Sequence, residues 1–294
     1  SMKSHLISSD PGIDDLVGLM LLAKLSGSSS HCLISSFGNA PVEVTGVNAK
    51  EFISFIAPAW SYFQGSAMPL NKSLEHPWPD YFHGPDGVWG IHPNCFTKDI
   101  KIVQKYPAYQ SLISLCPLTE ARKILLTGKL QSAIVMGGAF RIPGNETLYA
   151  ETNIAFDPDA AAHFFAANTG AEVRVVPLDV TRKVKWSRAT VQSIPEDMES
   201  SIWIKKVLLT WFDKYNHERE KDFNLHDPLA IYLTFFPEQA SWVKSGVKVE
   251  TKGEKRGKTT LDVQAPPCDV ALELFEPATI ARQIFDILFS WPVV

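Results

Sequence analysis

The segment Asp10-Pro11-Gly12-Ile13-Asp14-Asp15 sets three carboxylates within six residues, where a short apolar run gives way to a helix-like stretch. Carboxylates at a helix start cap free backbone N–H groups and complement the dipole, so Asp14 and Asp15 have an ordinary structural explanation. Asp10, at the end of the apolar run, does not share it, because packed carboxylates repel one another unless a cation neutralises them. Oxygen donors with no cysteine or histidine among them favour Ca²⁺ or Mg²⁺ over zinc. A second acid, in His226-Asp227-Pro228-Leu229-Ala230, also precedes an apolar helix, where capping again suffices and the histidine suits a structural role. His83-Gly84-Pro85-Asp86-Gly87 is a turn sequence whose glycines suit positive φ.

Something must hold these groups. Apolar runs at 5–7, 32–37, 112–115, 133–136 and 173–178 each end in a polar or glycine turn and are followed by an amphipathic stretch. Continuous apolar strands alternating with helices predict an α/β fold, a mainly parallel central sheet with helices on both faces. Ligands in such sheets gather beyond the carboxyl ends of the strands. Asp10, Asn39, Thr119 and Gly137-Gly138 all fall at those ends, which points to one shared site. Helices are expected over 14–25 and 199–216, and another carrying Val44, Val47, Phe52 and Phe55 on one side. The tail reads as β-rich over 243–250, 260–263 and 270–274, with an edge hairpin and a closing helix from about Pro277 to Phe289.

The chain has 294 residues, 45% of them hydrophobic, and a net charge of −4. That allows a sizeable core, here taken as one domain over 1–294, and gives no reason to expect nucleic acid or an anionic membrane as partner. No run of 18 apolar residues suggests a transmembrane helix. The polar stretch 1–9 is not expected to be a signal peptide, and Ser1 ahead of Met2 reads as a cloning remnant. Cys32, Cys95, Cys116 and Cys268 lack metal-type spacing and are expected as reduced thiols in a cytoplasmic protein.

Taken in order, the motifs resemble the inosine–uridine-preferring nucleoside hydrolase family. The acidic turn is followed by Gly38-Asn39, Asn48, Gly65 with Pro69-Leu70, the His83 turn and Pro117-Leu118-Thr119. Then come 135–140, Gly144-Asn145, Glu151 with Asn153, Asp157-Pro158, Leu178-Asp179-Val180-Thr181 and His226-Asp227-Pro228, so the resemblance spans about 5–275. It implies hydrolysis of the N-glycosidic bond of ribonucleosides, with Ca²⁺ held by Asp10, Asp15, Asp227 and the backbone carbonyl of Thr119. Asp14, Asn145, Glu151 and Asn153 are implied to grip the ribose, with Asn39 and His83 beside them. Asp10 is implied to take the proton of a calcium-activated water, and His226 to protonate the leaving base. A homodimer or homotetramer is implied as well.

Four positions depart from the family pattern. Ser8 stands where an aspartate is common, Cys116 for a glycine, Glu120 for an asparagine and Thr152 for an aromatic. They support an alternative, a member that binds calcium and ribosides without turnover. A Mg²⁺ phosphohydrolase with an aspartate nucleophile would want a second carboxylate at position 12, which is glycine. Trp89, His92, Tyr215 and His217 are candidates to meet a base, and the polar stretch 216–224 is a candidate lid.

Overall fold

The structure, a computed structural model, describes residues 3–75, 78–94, 99–215 and 221–290. In chain order its elements begin with β1 (Leu6–Ser9), α1 (Ile13–Ser26), β2 (Cys32–Ser35), α2 (Val42–Phe55), β3 (Ser61–Gln64), α3 (Asp80–His83) and β4 (Lys101–Ile102). They continue with β5 (Ser111–Ser114), α4 (Thr119–Leu125), β6 (Ser132–Met136), α5 (Thr152–Ala155), α6 (Pro158–Ala166), β7 (Glu172–Val176), α7 (Leu178–Thr181) and β8 (Lys185–Trp186). The remainder is α8 (Arg188–Gln192), α9 (Glu199–Lys214), β9 (Phe223–Asn224), α10 (His226–Phe235), β10 (Ala240–Val249), β11 (Thr259–Asp262), β12 (Cys268–Leu274) and α11 (Pro277–Ser290).

Ten strands join one sheet in the order β11-β10-β12-β7-β6-β5-β1-β2-β3-β4. From β4 to β12 the pairing is parallel, and β10 and β11 close the far edge antiparallel, as the hairpin expected there. The chain runs outward from β1 through β4, then returns to lay β5 on the other side of β1. The crevice between β1 and β5 is therefore the topological switch point, where a parallel sheet opens a pocket at its carboxyl edge.

Strand periodicity divides the core. Ile7, Ile113 and Ile134 pack with α1, α2, α9 and α10 on one face, while Leu6, Leu112 and Val135 pack with α4 and α6 on the other. Helix α1 is buried continuously from Ile13 to Leu22, because α10 and α11 both pack on it. Each such Leu or Ile side chain contributes roughly 1.5–3 kcal/mol relative to exposure, so Asp14 and Asp15 ride on a firmly fixed helix. No described helix is long and apolar enough to cross a membrane. Cys32, Cys116 and Cys268 are buried free thiols, and Cys95 lies outside the described residues.

One expectation needs correcting, and two strands fall outside the apolar runs. Strands β3 and β4 have short segments, Ser61–Gln64 and Lys101–Ile102, that carry polar ends and lie toward the sheet's edge. Helix α2 does not bury Val47, which is 44% exposed; its inner face is Thr45, Gly46, Asn48, Ala49, Phe52 and Ile53. Polar residues occupy that face because they have partners inside, Thr45 Oγ1 donating to the Ser36 carbonyl at 2.7 Å.

Away from the carboxyl edge, His31 is fixed in one tautomer. Its Nδ1 accepts from the His5 backbone N–H at 2.9 Å, and its Nε2 meets Ser26 Oγ at 2.9 Å, whose hydroxyl donates onward to the Leu22 carbonyl. Burial holds the His31 imidazole down at about 3. The unfolded histidine takes up a proton near its ordinary 6.5 that the folded one refuses, so this contribution is complete above pH 6.5 and declines as pH falls toward 3. The stability gap between the wild type and His31→Asn should accordingly shrink by roughly 1–2 kcal/mol between pH 7.5 and 5 in urea titrations. A gap independent of pH would contradict the assignment.

Candidate active site

At the carboxyl edge beside β1, a cavity of about 440 Å³ is lined by Asp10, Asp14, Asp15 and Asp227 together. All four are buried. Asp10 ends β1, Asp14 and Asp15 open α1, and Asp227 opens α10, which packs along α1. Asp14 does not cap its own helix: its Oδ2 accepts the Asp227 backbone N–H at 3.0 Å, joining positions 213 apart in the chain. Asp15 takes the local role, accepting from Gly12 N–H at 3.4 Å and from Ser9 Oγ at 2.7 Å. It also stands within hydrogen-bonding reach of Asp10 and Asp227.

Burial first, then neighbouring carboxylates, pushes Asp10 and Asp227 well above the ordinary carboxylate range, and burial does the same to Asp14. Asp10 Oδ1 and Asp14 Oδ1 are buried without a partner. Among the described residues no three His, Cys, Asp or Glu side chains already converge as tightly as metal ligands do. The donor set nevertheless fits a hard cation, since it is all oxygen, crowded, held on rigid elements, and leaves Asp10 Oδ1 without a hydrogen-bond partner. The proton affinity of these acids is the affinity a divalent ion would displace.

A second layer fixes the acids. Asn39 donates its backbone N–H to Asp10 Oδ2 at 2.9 Å, and its Nδ2 to the Asp10 carbonyl at 2.9 Å and Asp15 Oδ1 at 3.0 Å. Gly38 has φ +156°, and any Cβ there would drive into the Asp10 carboxylate. Gly12 likewise leaves room for His83, whose Nδ1 accepts the Ile13 N–H at 3.2 Å. Burial holds His83 down at about 3, so it stays neutral. Asn48, from the polar face of α2, donates to the Pro11 carbonyl at 2.9 Å and the Asp86 carbonyl at 2.8 Å, tying the acidic turn to the His83 turn.

Opposite lies a polar wall. Glu151 caps α5, accepting backbone N–H groups from Gly138, Asn153 and Ile154 at 3.0, 2.7 and 3.1 Å, yet burial pushes it up to about 7. Asn153 Nδ2 is anchored on the Met136 carbonyl at 3.0 Å. Asn145 is exposed at the rim, its Oδ1 accepting from both N–H and hydroxyl of Thr152 at 3.0 and 3.1 Å. His226 Nδ1 meets Thr181 Oγ1 at 2.7 Å, and burial, then the charge of Arg182, holds the imidazole down at about 4. Phe82, Trp211 and Tyr215 add a mutually packed aromatic wall, with ring centroids 4.7–5.5 Å apart.

The cavity therefore gathers Asp10, Asp14, Asp15, Asn39, His83, Asn145, Glu151, Asn153, His226 and Asp227. Thr119 is not brought to it. It begins α4, its hydroxyl donates to Asp157 at 2.6 Å, and Leu115, just past β5, is what lines the cavity. Of the described base candidates, Tyr215 lines the cavity and Trp89 and His92 do not. Trp89 gives its indole N–H to the Phe82 carbonyl, His92 bridges Glu51 and Asp86, and His217 lies outside the described residues, as do 216–220 of the suggested lid. Lys221, Asp222 and Asn224, from the described part of the suggested lid, line the cavity, as does Arg182, which had no signal beyond directly following the Leu178–Thr181 motif. The departures are internally matched: Ser8 Oγ meets Cys116 Sγ at 2.9 Å, Glu120 accepts from Tyr106 and Ser66, and Thr152 holds Asn145. A larger cavity of about 670 Å³, around Tyr106 and Tyr109, has no carboxylate among its lining residues.

The sequence model of the family described as inosine-uridine preferring nucleoside hydrolase matches residues 5–281. The chain is 29% identical over 277 residues to "Probable uridine nucleosidase 2" of Oryza sativa subsp. japonica, covering 88% of this chain and 81% of that one. It is 28% identical over 276 residues to the non-specific ribonucleoside hydrolase RihC of Salmonella paratyphi A, covering 88% of each. Its fold matches the solved "Plant nucleoside hydrolase - PpNRh1 enzyme" with a TM-score of 0.87 at 22% identity, over 99% of this chain and 100% of that one. The chain belongs to the inosine–uridine preferring nucleoside hydrolase family and is an enzyme that hydrolyses ribonucleoside N-glycosidic bonds.

Asn48→Ala should destabilise the protein by about 1–3 kcal/mol, because the buried Pro11 carbonyl and the half-buried Asp86 carbonyl lose their donor. A shift in urea midpoint at unchanged slope checks this; an unchanged midpoint would show that the clip between the two turns carries no stability.

Proposed function

We propose that this nucleoside hydrolase binds Ca²⁺ through Asp10, Asp15 and Asp227 and uses Asp10 as the base that deprotonates the attacking water. The observation that carries the reading is the pair of partnerless buried oxygens, Asp10 Oδ1 and Asp14 Oδ1, in a cavity already crowded with acid. When bound, the ion supplies Lewis acidity that lowers the pKa of a water and orients sugar hydroxyls. Ca²⁺ suits a site of many oxygen donors better than Mg²⁺, which demands near-ideal octahedral geometry. Leu115, at the end of β5, takes the backbone-carbonyl role first given to Thr119.

The chain's own groups supply the rest. Asp14, Glu151, Asn153 and Asn145 receive ribose hydroxyls, and their carboxylates favour the positive charge that builds on the sugar as the bond breaks. Asn39 and His83 hold the acidic turn beneath the sugar. His226, fixed through Nδ1 by Thr181, keeps Nε2 as the ring nitrogen for the departing base. Phe82, Trp211 and Tyr215 offer that base a stacking surface. The reading extends to uridine and other ribonucleosides as substrates and to a cytoplasmic homodimer or homotetramer. The alternative, binding without turnover, drew on the altered residues, each of which has a partner of its own: Ser8 meets Cys116, Glu120 accepts from Tyr106 and Ser66, and Thr152 donates to Asn145.

Asp10→Ala should lower release of uracil from uridine, with added calcium, by on the order of 10³-fold or more, since it removes base and ligand together. His226→Ala should slow uridine and inosine by about 10²-fold and spare p-nitrophenyl riboside, whose leaving group needs no proton. Equal losses on both kinds of substrate would remove His226 from the leaving-group role.

A further inference from the structure

Among the described residues Arg182 is an unpaired guanidinium in an acidic cavity. It follows α7, is half-buried, and lines the cavity with His226, Glu146 and Glu151. Its Nη2 donates to the Gly144 carbonyl at 3.1 Å, and no described carboxylate lies within ion-pair distance. Its backbone is fixed too: Asn224 Nδ2 donates to the Arg182 carbonyl at 3.0 Å, and the neighbouring Thr181 hydroxyl meets His226. A guanidinium carries five N–H donors, so one bond to Gly144 positions the fork and leaves the others for a ligand.

Cleavage of an N-glycosidic bond separates charge, positive on the sugar and negative on the base. The acids of β1, α1 and α10 suit the first; a fixed cation in the same cavity suits the second. We infer that Arg182 is the group that takes up the negative charge of the departing nucleobase, making leaving-group stabilisation in this chain cationic as well as hydrogen-bonded. No covalent bond to Arg182 forms: the glycosidic electron pair moves onto the base, which the guanidinium hydrogen-bonds while water supplies the proton and hydroxyl of the products. A nucleotide phosphate is the rival anion, and Glu146, Glu151 and Asp222, which line the same cavity, disfavour a dianion in it.

The inference rests on the hydrolase reading, so the test separates the two. Wild type, Arg182→Met and Arg182→Lys, each with calcium, are assayed on uridine, p-nitrophenyl riboside and uridine 5′-monophosphate. Arg182→Met should lose about 10²-fold in kcat/KM on uridine and stay within about threefold on p-nitrophenyl riboside, and Arg182→Lys should recover at least about tenfold of that loss. Equal losses on uridine and p-nitrophenyl riboside would leave Arg182 only its structural tie to Gly144 and overturn the inference. A wild-type preference for the monophosphate that the Met variant abolishes would overturn it in favour of phosphate. Absence of wild-type turnover on all three would instead overturn the hydrolase reading.

Discussion

Four buried carboxylates, Asp10, Asp14, Asp15 and Asp227, line one cavity, and Asp10 Oδ1 and Asp14 Oδ1 have no hydrogen-bond partner among the described residues. Desolvating one ionised carboxylate costs several kcal/mol, and crowding others against it adds repulsion. A chain under selection for stability alone would have replaced at least one of them. The surrounding structure is organised to tolerate the cost: α1 and α10 pack together, Asn39 serves three oxygens of the acidic turn, and Gly38, lacking a side chain, leaves room for the Asp10 carboxylate.

The topology explains why the cost falls where it does. Strands β1 and β5 are neighbours whose connections diverge, so their carboxyl ends open a crevice without interrupting the sheet. Asp10 leaves one side of that crevice and Leu115 the other. Around it the cavity carries Asp10, Asp14, Asp15 and Asp227 from β1, α1 and α10, and Arg182, just past α7 and tied to the Gly144 carbonyl, lines it together with His226, Glu146 and Glu151.

Much of this was legible in the residues. The acidic turn stood out because Asp10 had no structural duty to explain it, and the apolar strand runs located the edge at which it sits. Asp227 was harder, since capping a helix accounted for it fully, and only the ordered series of motifs tied it to Asp10. Thr119 was misplaced because a backbone carbonyl carries no side-chain signature; its hydroxyl serves Asp157 instead. Trp89 and His92 looked available to a base, but a core carbonyl and two surface acids claim them. Asn48 and Arg182 could not be recognised locally, since a polar residue on a helix face or after a turn is ordinary until its burial is known.

Convergence of distant acids on one ion is the claim from which the rest follows, and calorimetric titration of the metal-free protein with Ca²⁺ addresses it without recourse to turnover. Wild type should take up one ion per chain, and Asp227→Asn, still folded by circular dichroism, should take up none over the same range. Uptake undiminished in Asp227→Asn, or no uptake by wild type, would contradict it.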